Sequence, residues 1–234
     1  MALNMTKSSM KIITTSDGSH SLLNEELNET YHSVHGAIQE SAHVFIKNGL
    51  DYYIQKVKPQ SISILEVGFG TGLNALLTIH RMLETFVTIK YTTVEPYPLG
   101  EEVWSALNYT QTIGLKEHFT ALHRSSWEKE GTMLPHFQLL KLQTTLQQVQ
   151  LQPKSFDLIY FDAFAPNKQP EMWTFPMLEK VVEAMNMDAV FVTYCAKGQL
   201  KRDLKTLSLM TETLPGPPGK KEMVRAIKSK FNSG

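Results

Sequence analysis

The chain has 234 residues, 42% hydrophobic and 20% charged, with 23 basic and 23 acidic side chains and no formal net charge. That balance describes one globular domain with length for a substantial core, and it argues against a protein devoted to coating nucleic acid. No apolar window approaches the length of a membrane span, Met1 to Lys7 lacks the apolar core of a secretory signal, and Cys195 is the single cysteine, so the expected compartment is a reducing cytoplasm.

Along the chain, residues 11–23 read as a strand pair turning at Asp17-Gly18. Residues 24–55 have helical spacing through Val34, Ala37, Ile38, Val44, Phe45 and Ile46, ending near Asn48-Gly49. A βα series follows. Strands fit 61–67, 88–94, 136–142, 156–162 and 188–194, and helices fit 72–84, 100–110, 143–150, 171–186 and 198–208. Such alternation predicts an α/β fold, a Rossmann-like parallel sheet over 56–234 with an N-terminal hairpin and helix extension over 1–55 packed on it. The segment 197–234 carries nine Lys/Arg against three Asp/Glu, while 1–55 carries three against six. The basic end is either a patch for a polyanion or a solvated helix face and tail.

Residues 65–74, Leu-Glu-Val-Gly-Phe-Gly-Thr-Gly-Leu-Asn, lie between the first strand of that series and its helix. Glycines at alternate positions (Gly68, Gly70, Gly72) let backbone press against a ligand. The dinucleotide fingerprint G-x-G-x-x-G needs its third glycine at 73, where Leu73 stands. The pattern E-x-G-x-G-x-G is instead typical of S-adenosylmethionine sites, where Glu66 suits the cationic amino-acid end of the cofactor. Phe69, Thr71 and Asn74 belong to the same turn. Glu95, ending the next strand, suits ribose hydroxyls of any adenosine cofactor. Gln143 or Thr144, after the third strand, is the candidate for the adenine amine. Asp162 ends the fourth strand beside the expected methyl group. A carboxylate there can orient an amine and take its proton, because only the neutral amine attacks a sulfonium. His32, His35, Glu40 and His43 do not share a helical phase suited to a metal, and no metal is expected.

Several longer runs resemble the bacterial MnmC-type tRNA methyltransferase domain, whose stand-alone form is called MnmD. They are Tyr31-His32-Ser33 with Gly36-Ala37 and Glu40, the glycine turn, and Asp162-Ala163-Phe164-Ala165-Pro166-Asn167-Lys168 with Pro170, Glu171, Met172 and Trp173. Thr193-Tyr194, Gly198, Arg202 and Pro217-Pro218-Gly219-Lys220-Lys221-Glu222-Met223 complete the match. The resemblance implies methylation of the 5-aminomethyl group of (2-thio)uridine at wobble position 34 of tRNA, with Asp162 beside the transferred methyl and Tyr31 wrapping the cofactor. Two-domain relatives add an FAD-dependent oxidase module. A chain of 234 residues is too short for it, so no FAD is expected, and the amine should come from another enzyme.

An anticodon loop offers splayed bases and phosphates. Phe164, Pro166, Trp173 and Tyr194 are the candidates for the base. Lys168, Lys197, Lys201, Arg202, Lys220, Lys221 and Arg225 are the candidates for phosphates. A monomer bound to a tRNA anticodon stem-loop is the expected working state. The competing readings are a methyltransferase for a small amine and a non-catalytic binding adaptor, and an acid at position 162 argues against the adaptor.

Overall fold

The computed structural model describes residues 10–85 and 87–229; the segment Met1 to Lys7 and residues 230–234 lie outside them. A three-stranded antiparallel sheet opens the chain: β1 (Met10–Thr14), β2 (His20–Asn24) and β3 (Glu29–Thr30), with the predicted turn at Asp17-Gly18. The predicted helix over 24–55 begins only at residue 37. The Asn24 side chain accepts the Leu27 amide at 3.0 Å and turns the chain, an interaction that competes with helix. From there α1 (Ala37–Ser41), a π-helical stretch (Ala42–Asp51) and α2 (Tyr52–Val57) run without a break. Asn48-Gly49 does not end this helix. Gly49 faces the sheet, where an added Cβ would lie 3.0 Å from Val192.

The main sheet uses β4 (Ser61–Val67), β5 (Thr88–Val94), β6 (Gly131–Leu134), β7 (Phe137–Leu142), β8 (Phe156–Phe161), β9 (Met185–Thr193), β10 (Met210–Pro215) and β11 (Glu222–Ile227). Its order is β10-β11-β9-β8-β4-β5-β7-β6. Strands β9, β8, β4, β5 and β7 are parallel, and β11 and β6 pair antiparallel to them. The connecting helices are α3 (Leu73–Thr85), α4 (Glu101–Trp104), α5 (Tyr109–Ile113), α6 (Lys116–Arg124), α7 (Phe175–Ala184) and α8 (Gly198–Thr206).

This is the predicted Rossmann-like α/β sheet, with corrections at its margins. The helix expected over 100–110 is split into α4 and α5. Residues 143–150 form turns rather than a helix. The helix expected over 171–186 is a 3₁₀ turn (Pro170–Trp173) followed by α7. The basic C-terminal segment hides an antiparallel pair: β10 and β11 flank the proline-glycine loop, and Met223, Val224, Ala226 and Ile227 are buried between charged neighbours.

Alternate residues of β4 feed two cores. Ile62 and Ile64 pack with Val44, Phe45 and Leu50 of the π-helical stretch, while Leu65 and Val67 pack with Phe161 and Phe191 on the other face. The chain winds from β4 outward through β5 to β7, then crosses back to β8 on the other side of β4. Ligands of open α/β sheets bind at such a reversal, outside the carboxyl ends of the strands.

Candidate active site

A cavity of about 480 Å³ opens at that reversal. Its walls come from residues 29–35 and Glu40, the glycine turn, Glu95, Asp162, Tyr194 and Lys220. Its size suits a nucleoside-bearing ligand.

The apolar run of β4 ends at Val67, and Gly68 then turns with φ +95°. An added Cβ there would lie 2.8 Å from the Asp162 carbonyl oxygen, so no side chain fits. The turn is held at several points. Gly68 donates its amide to the Val94 carbonyl at 3.0 Å, and Gly70 donates to Glu95 Oε2 at 3.0 Å. The other oxygen of Glu95 accepts the Tyr97 amide at 2.9 Å. Each oxygen therefore keeps a further lone pair for a hydroxyl donor. Burial raises the Glu95 carboxyl, and the two backbone bonds oppose the rise. Tyr31 lies across the turn with its ring edge on Gly70 and against the Phe164 ring at 5.0 Å.

Thr71 ties the turn to two helices. Tyr109 donates to its hydroxyl at 3.2 Å, His32 Nε2 lies 2.8 Å from the same oxygen, and His123 Nε2 lies 3.1 Å from its carbonyl. Burial depresses His32 to about 4 and His123 to about 3, so both rings are neutral at pH 7. The sequence signals that could have found these partners are weak: His32 stood out only as a rejected metal candidate and within the resemblance, and His123 lies in an unpredicted helix.

Asp162 leaves β8 half-buried at the cavity wall, and its Oδ2 accepts Asn74 Nδ2 at 2.8 Å. Burial raises its carboxyl to about 7; Glu40 raises it further, and Asn74 and Lys220 oppose. A carboxylate with that affinity can take a proton from an amine near neutral pH. Glu66 differs from expectation. It is fully buried beneath the turn and does not line the cavity, facing Thr93, Asp162, Tyr91 and Asn74. Burial pushes it well above the usual carboxylate range, and the side chains of Thr93, Tyr91 and Asn74 oppose the rise. Asn74 lies between Glu66 and Asp162, bonds the Asp162 carboxylate and does not line the cavity. Gly72 packs against His123 and Phe69, behind the turn.

Other expected contacts move. Gln143 is exposed and off the cavity, its amide donated to Glu128 Oε1 at 2.6 Å. With no helix starting at residue 143, the chain runs on before turning in, and Thr145, Leu146 and Gln147 form the wall where Gln143 and Thr144 were expected. Trp173 is a core residue: its Nε1 donates to the Phe164 carbonyl at 2.7 Å, and its ring packs on Phe161. Pro166 does not line the cavity. Phe164 and Tyr194 do.

Among the cations, Lys168 lines the cavity but binds the Leu27 carbonyl at 2.9 Å. Lys201 pairs with Glu222 at 2.8 Å, and Arg202 is exposed beside Gln199. Arg225 pairs with Glu212 and stacks 3.5 Å over the Tyr52 ring, away from the cavity. Lys197 and Lys221 are exposed, while Lys220 points into the cavity and pairs with Glu40.

The residues present fit S-adenosylmethionine. The turn admits close approach, and Glu95 keeps acceptors for a ribose. Among the described residues no three His, Cys, Asp or Glu side chains are grouped to hold a metal ion, and no helix is long and apolar enough to cross a membrane.

Comparison with known proteins agrees with this geometry. A family described as S-adenosyl-L-methionine-dependent methyltransferase matches residues 115–229. The chain is similar to the tRNA 5-methylaminomethyl-2-thiouridine biosynthesis bifunctional protein MnmC of Leptospira interrogans, 28% identical over 215 residues, which cover 86% of this chain and 33% of that protein. The protein of the same name from Idiomarina loihiensis is 29% identical over 212 residues, 84% of this chain and 35% of that one. The chain thus spans about a third of the length of the curated relatives it matches. Among solved structures, MNMC2 from Aquifex aeolicus is 24% identical with a TM-score of 0.77, covering 95% of this chain and 71% of that one. A probable spermidine synthase from Corynebacterium glutamicum shares the fold at a TM-score of 0.52 and 14% identity, covering 94% of this chain and 76% of that one.

Proposed function

We propose that this chain, whose residues 115–229 match a family of S-adenosyl-L-methionine-dependent methyltransferases, N-methylates the 5-aminomethyl group of (2-thio)uridine at wobble position 34 of tRNA. The observation that carries this reading is Asp162. It faces the cavity at the end of β8, beside the glycine turn, with a proton affinity near neutrality. The names of the MnmC relatives supply the substrate.

Bound S-adenosylmethionine supplies an electrophilic methyl group on sulfur. The chain supplies the rest. Glu95 and the amides of the turn hold the nucleoside end, and Gln147 lies where an adenine amine can be met. The Asp162 carboxylate takes one proton from the substrate ammonium. The nitrogen so freed would be held by these residues to accept the methyl group that the bound cofactor would supply. Phe164 and Tyr194 offer aromatic faces to a flipped base, and Lys197 and Lys221 at the surface offer charge to phosphates. The reading assigns this chain the methyl-transfer step alone, without flavin or metal, carried out by a monomer in the cytoplasm on the anticodon stem-loop.

The test is transfer from labelled S-adenosylmethionine to total tRNA from a strain lacking this methylation, followed by nucleoside mass analysis. Conversion of 5-aminomethyl-2-thiouridine to its N-methylated form is the expected result. Intact cofactor binding without that conversion overturns the substrate and leaves the fold and cofactor standing.

A further inference from the structure

Two segments far apart in sequence meet across the cavity through Lys220. Its ammonium pairs with the Glu40 carboxylate and lies 3.7 Å above the ring of Tyr194. The Tyr194 hydroxyl donates to the carbonyl of Ala163, next to Asp162, at 2.9 Å. Glu40 is buried, and its second oxygen accepts the Ser33 amide at 2.7 Å. Glu40, Asp162, Tyr194 and Lys220 all line one cavity. A site that must strip a proton from an ammonium group is poorly served by a second, uncompensated carboxylate beside its base. Such a carboxylate would stabilise the ammonium and raise the proton affinity of Asp162 as well.

We propose that Lys220 is a positioning residue for methyl transfer: by neutralising Glu40 it leaves Asp162 to act alone on the reacting nitrogen. The inference rests on the amine-methylation reading above. The other titratable groups facing the pair are His32, His35, Glu29 and Cys195. His32 is held neutral by burial and Cys195 is raised by burial, while His35 is exposed at the rim. A His35→Asn control removes that rim group from the pH profile.

The experiment is single-turnover methylation of tRNA carrying 5-aminomethyl-2-thiouridine from pH 6 to about 10, with S-adenosylhomocysteine binding by calorimetry as a check on folding. In Lys220→Met the midpoint of the rate profile should rise by about one unit, costing about tenfold at neutral pH and recovering at high pH. The double variant Lys220→Met/Glu40→Gln should return the midpoint to that of the wild type, and Lys220→Arg should stay close to it. Glu40→Gln alone should lower the midpoint, because Asp162 loses a charge that raises it; this arm stands even where Lys220→Met fails to fold. A pH-independent loss that persists in the double variant, or an unmoved midpoint in Glu40→Gln, overturns the proposal. A wild type that binds S-adenosylhomocysteine and leaves this tRNA unmethylated overturns the amine reading itself, and this inference with it.

Discussion

Asn74 Nδ2 donates to Asp162 Oδ2 across 2.8 Å, joining the first turn of α3 to the end of β8. The bond favours the ionised carboxylate and partly offsets the burial that raises Asp162 to about 7. In Asn74→Ala that offset is lost and the carboxyl moves further up. The methyl-transfer rate at pH 7 should fall about tenfold and recover above pH 9, read from the rate profile of the variant against the wild type.

Asp162→Asn removes the proposed base while keeping the shape. Turnover should fall by about 10²–10⁴-fold, with S-adenosylhomocysteine affinity nearly unchanged. Stability should move the other way. A carboxyl whose folded value is about 7 against an ordinary 3.8 binds more protons folded than unfolded between those values, so its contribution declines as pH rises through them. At pH 8 the wild type bears the whole cost of an ionised, half-buried carboxylate. The variant should melt higher there by ~5 °C, and near pH 4 the difference should close. Paired thermal melts at the two pH values decide it; an equal difference at both would contradict the linkage.

The centre of the fold was legible in the sequence because β4 and β8 read as largely apolar, buried runs, because β5 alternates buried Ile89 and Tyr91 with exposed Lys90, and because the glycines of residues 68–72 exclude most alternatives. The margins were not. β11 interleaves Met223, Val224, Ala226 and Ile227 with charges, so its composition reads as a basic tail. At the cavity wall, Asp162 and Glu95 stand where strand-end position put them. Glu66 has the right residue type but a different depth, which periodicity does not report. The Glu40–Lys220 pair joins residues 180 apart in sequence, and no local pattern encodes such a contact.

The same limit bears on the residue proposed to meet the adenine amine. The chain after β7 forms turns rather than the predicted helix, and Gln147 rather than Gln143 reaches the cavity. Gln147→Ala should raise the Kd for S-adenosylhomocysteine about threefold to tenfold, the range of one hydrogen bond. Gln143→Ala should leave it unchanged. Calorimetry on the two variants separates the positions, and the reverse order would return the contact to Gln143.

Gly68→Ala tests the turn itself. The position combines φ +95° with an added Cβ 2.8 Å from the Asp162 carbonyl oxygen, a backbone atom that cannot swing away. The variant should lose ~2–4 kcal/mol of stability and with it most cofactor binding. Gly131→Ala is the control, since nothing lies within 4 Å of an added Cβ there. Denaturant midpoints for the pair should differ clearly; equal midpoints would mean that β4 and β8 separate more easily than their packing indicates.

The basic residues of the C-terminal segment divide by what already holds them. Arg225 stacks 3.5 Å over Tyr52 and pairs with Glu212 at 2.7 Å, so its charge is spent within the fold. Lys197 and Lys221 are exposed on the loops after β9 and before β11. If these two meet phosphates, Lys197→Ala and Lys221→Ala should each reduce the slope of log K against log salt for tRNA binding by about 0.7–1, without a change in melting temperature. Arg225→Ala should lower the melting temperature by ~3 °C and leave the slope alone, because what it removes is packing and a half-buried ion pair. Filter binding over a salt series and a melt of each variant give both readouts. A slope change in Arg225→Ala with no loss of stability would move the RNA-facing surface to the π-helical side of the molecule, where Arg225 meets Tyr52 and Asn48.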